Sequence, residues 1–137
     1  MTRRWTVLCG AFAVVLGASL WVSAEPKSTG GVKAFKPVQT TEHLMHGQKK
    51  LMGDIKSAIG EKDWESGEVC AWMLAECANV NHYQKDDAAY HGFAATMSSQ
   101  CVELAGLIKK KDEKGAKDLV NAIGKTCGAC HDQFEKK

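Results

Sequence analysis

From Val38 to Lys137 the chain runs for about a hundred residues without a proline; both of its prolines, Pro26 and Pro37, come earlier. Proline marks turns and strand edges, so a stretch of this length without one argues against a turn-rich β fold. The hydrophobic pattern agrees. Leu44, Gln48, Leu51, Ile55 and Ala58 recur at three- and four-residue spacing, with Met45, Met52 and Ile59 along the neighbouring row. That period predicts a first helix over 38–59, ended by Gly60. A second helix starts at Asp63, a good N-cap, and carries Cys70, Ala71, Leu74, Cys77 and Ala78 before a turn over 79–86. The third carries Tyr90, Phe93, Ala94, Met97, Cys101, Leu104, Ala105 and Ile108. Asp112 caps a fourth with Ala116, Leu119, Val120, Ile123, Cys127, Cys130 and Phe134. Helices joined by short loops become antiparallel neighbours, so the expected fold is all-α, an antiparallel up-down-up-down four-helix bundle. Glycines at 47, 53, 67, 92, 106 and 124 fall inside these helices, each costing up to about 1 kcal/mol against alanine. So many imply loose helices or something large packed close to the backbone.

The first 24 residues read as a signal peptide. Arg3 and Arg4 form a positive segment, 8–20 is apolar, and Val22-Ser23-Ala24 is a small-residue cleavage site. The apolar run is short for a bilayer and no second one follows, so no stable membrane anchor is expected. A twin-arginine signal fits poorly with Trp5, Thr6 and Val7, and Cys9 reads as an ordinary small residue of the apolar run. Residues 25–37, with Ser28, Thr29, Gly30 and Gly31, have no period and read as a flexible leader to a single domain over 38–137. The mature chain has 16 lysines against 16 acidic residues and no arginine. That balance argues against nucleic-acid or phosphate recognition.

The chemistry concentrates in Cys127-Gly128-Ala129-Cys130-His131, a C-x-x-C-H motif. On a helix these cysteines and the histidine sit at i, i+3 and i+4 and share a face. Two thiols so placed add to the two vinyl groups of a haem, and the adjacent imidazole serves as an axial ligand. An export signal supports this reading. The competing readings lack support: a thioredoxin-type pair needs a βαβ context, and a zinc site needs a second ligand pair.

A haem motif close to the C-terminus, on the last helix of a four-helix bundle, resembles cytochrome c′ and its low-spin relatives, the class II c-type cytochromes. The resemblance is specific over 126–134 and pattern-level over the first three helices. It implies one covalent haem c in the bundle core, with Cys127 and Cys130 as thioethers and His131 as proximal ligand. It also implies a periplasmic electron carrier or gas-binding protein, often a homodimer; an enzyme such as a peroxidase is disfavoured because His46 is the only local candidate for a distal acid–base group, and the register is against it. The family places its sixth-position residue eight before a glycine on helix one; Gly53 as that anchor puts Met45 over the iron. Met45 then has three readings: a thioether ligand, an apolar lid over an open iron, or plain core. The first makes the protein a one-electron carrier serving a redox partner protein. The second makes it a five-coordinate binder of NO or CO. His43 and His46 flank Met45 and are the alternatives if the register slips; His82 and His91 read as exposed or structural. The chain departs from the family at Glu135, where members carry a basic residue four after the haem histidine, and at Thr41, where an arginine is common. The haem propionates must then be met by lysine, backbone N–H or water.

Three further cysteines lie on helices two and three. If the hairpin turns symmetrically near Lys85, Cys70 and Cys101 are level and Cys77 is offset from Cys101 by about 10 Å. Two readings stay open: a Cys70–Cys101 disulfide with Cys77 free, or three small core residues.

Overall fold

The computed structural model describes residues 35–135; the expected signal peptide and most of the leader lie outside them. Four α-helices make up the described chain: α1 (Thr41–Glu61), α2 (Trp64–Asn81), α3 (Ala88–Lys109) and α4 (Glu113–Phe134). There is no strand among the described residues, and none of these helices is long and apolar enough to cross a membrane. The all-α expectation holds. α1 packs on α2, α2 on α3 and α3 on α4, while α1 meets α4 more sparsely.

Each helix begins at a side-chain cap. Thr40 accepts from His43 N, Asp63 from Ser66 N, Asp87 from Ala89 N and Tyr90 N, and Asp112 from Gly115 N. Each cap satisfies a backbone N–H that the helix itself leaves orphaned, worth about 1 kcal/mol. The hydrogen bonds from Ser66 hold the Asp63 carboxyl below its ordinary range. Asp63 and Asp112 were legible as caps, whereas Gly60 does not end α1. The helix runs on through Glu61, and Lys62 makes the reversal in the left-handed region at φ 61°. Asp63 N then reaches Ala58 O at 2.9 Å, which closes the helix and positions the next cap.

Ile55, Leu74, Leu104, Ile108 and Ile123 are the largest fully buried aliphatic side chains. Burying each contributes about 1.5–3 kcal/mol. Gly67 lets α2 approach closely: a Cβ there would stand 3.4 Å from both Ala58 Cβ and Ile108 Cγ2.

The α2–α3 register shapes the functional end of the bundle. Ser98 Oγ donates to Asn79 Oδ1 at 2.8 Å, so these two residues are level. Asn79 lies two residues from the end of α2, but Ser98 lies well inside α3. Roughly the first eight residues of α3, about 12 Å of helix, therefore stand beyond the end of α2. The six-residue 82–87 linker spans the offset, turning at 82–84 before 85–87 lead into α3. Gln84 in that linker ties it to α1, donating to Gln39 O at 3.1 Å and accepting from Thr41 Oγ1 at 3.1 Å. At this end the bundle has three full walls and a short fourth.

Candidate functional site

A cavity of about 500 Å³ opens where α2 stops short and continues down the sparse α1–α4 seam. Interiors otherwise pack with voids no larger than a water molecule, and cavities of this size are characteristic of ligand sites. Its walls are mainly apolar, from Met45 and Met52 of α1, Phe93, Ala94 and Met97 of α3, and Cys127 of α4. Gly53 of α1 and Gly124 of α4 also line it, and a Cβ at either would meet nothing within 4 Å. Bare backbone on both sides of the seam is part of what makes the room. A second cavity of about 480 Å³ adjoins the first and shares Met45, Tyr90, Cys130 and His131 with it. Its lining is more polar and includes Glu42, Lys85 and Glu135.

Four residues singled out in the sequence thus meet at one place. Cys127, Cys130 and His131 share a face of the last turns of α4, and Met45 reaches the same cavity from α1. Thr126 Oγ1 donates to Gln100 Oε1 at 2.9 Å, fixing α4 on α3 immediately before the motif. Cys127 packs against the core, and burial raises its thiol above the ordinary range. Cys130 is raised by burial first and by Cys127 second. Both are protonated thiols at neutral pH. The His131 ring is half exposed, and its Nδ1 lies 3.4 Å from Glu135 Oε2. A carboxylate on one ring nitrogen orients the ring and leaves Nε2 to act as a ligand.

Two polar groups in the cavity wall were not read from the sequence. Tyr90 Oη and Asn81 Oδ1 are buried and have no hydrogen-bond partner. An unsatisfied buried polar group costs about 1–3 kcal/mol, so an occupant that offers a partner recovers it. Burial, and secondarily Cys130, pushes the Tyr90 hydroxyl up, so it remains a donor. Gln48 is buried beside them and donates to Cys77 O at 3.5 Å. The available signal was a glutamine and a tyrosine standing in otherwise apolar helical rows. Asn81 was hidden because the turn was placed over it, while α2 in fact runs through it.

The flanking histidines do not join the site. His43 pairs with Thr40, and neither His43 nor His46 lines either cavity. His82 and His91 stack at 3.9 Å between ring centroids beside the α2–α3 linker, where His91 Nε2 lies 2.8 Å from Lys85 O. Among the described residues no three His, Cys, Asp or Glu side chains converge on a metal position.

Cys70 and Cys101 are both free thiols, so the bridge that was one of the two open readings is not formed in this structure. The register explains why. With Ser98 beside Asn79, Cys101 is level with Glu76 and Cys77, and Cys70 lies about 10 Å away along the axis. The charges that bear on Cys70 come from Asp54, Lys50 and Asp63, towards α1; those that bear on Cys101 come from Cys127 and Cys77. The symmetric hairpin assumed from sequence placed the wrong cysteine opposite Cys101. The alternative, three small core residues, fits Cys101 alone; Cys70 packs partly buried against the core, and Cys77 is half-buried.

No family model, characterised protein or solved structure matches this chain.

Proposed function

We propose that this chain is an exported c-type cytochrome that carries one electron through a single covalent haem c in the α1–α4 cavity. The observation that carries the reading is the meeting of the C-x-x-C-H face of α4 with Met45 of α1 in one large apolar cavity. A bundle this small has no packing reason to keep such a space, and the glycines facing it leave it open. When bound, haem supplies a ferric–ferrous couple. Cys127 and Cys130 hold it as thioethers and His131 serves as the proximal ligand, braced from behind by Glu135. Met45, which lines the same cavity, would offer its thioether to the iron, a ligand type that raises the reduction potential and would close the site to small molecules. The apolar walls from α1 and α3 exclude water and limit reorganisation. The partner is a redox protein reached in the periplasm.

A second reading keeps the same haem but leaves the iron open beneath Met45, as a five-coordinate binder of NO or CO. Asn81 and Tyr90 favour it, because their unpartnered polar atoms offer hydrogen bonds to a small molecule in the cavity.

Optical spectra of the exported protein, ferric, ferrous and ferrous with carbon monoxide, test both. Electron transfer requires sharp low-spin ferrous bands that carbon monoxide leaves unchanged, and Met45→Ala should then admit it. Broad high-spin bands that shift with carbon monoxide would transfer the case to gas binding. A protein exported without haem absorption would end both readings.

A further inference from the structure

We infer that Lys49 and Lys56 of α1 clamp the two propionate carboxylates of the group held in the cavity. The inference rests on the haem reading above and assigns the chain atoms that meet its anionic edge. Haem c carries its two thioether bonds on one side of the ring and its two carboxylates on the opposite side. Cys127, packed against the core, and Cys130, half-buried beside Tyr90, would hold the thioether side on the α4 wall. The carboxylate side would then face α1 across the sparse α1–α4 seam.

At that seam α1 presents Lys49, Met52, Gly53 and Lys56, spaced i, i+3, i+4 and i+7, all lining the cavity. The two lysines are exposed and stand about 10 Å apart along the axis. Gly53 lies between them with open space over its backbone, so nothing from α1 separates the ammonium groups from the cavity. Neither lysine pairs with a carboxylate among the described residues, whereas adjacent Lys50 turns away to Asp54 at 2.6 Å. No Asp or Glu lines this cavity at all. Two cations at the rim of an apolar pocket, without counter-charge, match two carboxylates at the edge of an apolar ring. After Arg4 the chain has no arginine, so lysine is the strong cation available for this task.

The test is residue-resolved lysine acylation of the exported, haem-loaded protein, followed by peptide mass spectrometry. Lys49 and Lys56 should react about fivefold more slowly than Lys62, as expected for ammonium groups held by carboxylates. A second measurement compares reduction potentials. Replacing both residues (Lys49→Gln with Lys56→Gln) removes two positive charges that favour the reduced site, so the potential should fall. The matching pair Lys49→Arg with Lys56→Arg should restore it, which a merely structural role would not require. A haem-loaded protein in which both lysines react as fast as Lys62, and in which the glutamine pair leaves the potential unchanged, would overturn the clamp alone. Absence of covalent haem would overturn the functional reading and the clamp with it.

Discussion

Raising the pH from 8 to 10 should weaken folding through one side chain, Cys101. It is fully buried, and burial, followed by its neighbours Cys127 and Cys77, pushes its thiol from 9.0 up to about 12. In the unfolded chain the same thiol ionises near 9. Between those two values the unfolded state releases a proton that the folded state retains. The stabilisation is therefore fully present below pH 9 and is lost as pH rises towards 12. Linkage puts the loss between pH 8 and pH 10 at about 1 kcal/mol. Urea unfolding followed by circular dichroism at both pH values, for the wild type and Cys101→Ala, isolates it. Alanine changes the absolute stability by removing a core atom, so the quantity compared is the change with pH. The wild type should lose about 1 kcal/mol more than the variant across this interval, other titrating groups cancelling. Equal losses would refute the reasoning, because the thiol would then be ionising without unfolding, in a core open to water.

On the proposed haem ligation, Glu135→Gln should raise the reduction potential while leaving the optical bands in place, since a carboxylate on His131 Nδ1 would strengthen the imidazole as a donor to ferric iron; a redox titration reads this. Gly47→Ala should stabilise by about 0.5–1 kcal/mol, because a Cβ there meets nothing and alanine is the better helix former. Gly67→Leu should instead destabilise by about 1–3 kcal/mol or more, since even a Cβ already touches Ala58 and Ile108; urea midpoints distinguish the two. If the motif carries haem as proposed, alkylation of the denatured, unreduced protein should add three adducts, at Cys70, Cys77 and Cys101, with Cys127 and Cys130 blocked by their thioether bonds. Intact mass gives the count, and one adduct in place of three would restore a disulfide.

The helices were legible because their apolar rows repeat at the helical period, and Asp63 and Asp112 could be read as caps because a short carboxylate before an apolar row has few other uses. The errors have a common source. Periodicity reports which face of a helix is buried, but not how far one helix slides along its neighbour. Gly60 misled because a glycine inside a helix and one at its end look alike in sequence. Cys70 was set opposite Cys101 because the hairpin was taken as symmetric, whereas α3 in fact begins well past the end of α2. The same slide exposes Asn81 and Tyr90 to the cavity, so these polar wall residues went unread for the same reason. The motif on α4 and Met45 were recoverable, since one is a local pattern and the other was placed by the resemblance and its glycine anchor.

The thin seam between α1 and α4 bears on how the molecule assembles. Contacts along α1–α2, α2–α3 and α3–α4 join neighbours in the chain and close short loops, whereas α1 and α4 must find each other across almost the whole domain. Loop-closure entropy makes that pairing the slowest to form, and it is also the sparsest of the four interfaces. The first three interfaces supply a scaffold on which the α1–α4 seam closes last. Amide exchange in α1 on the seam side should then outpace exchange in the α2–α3 pair, with filling of the cavity slowing it.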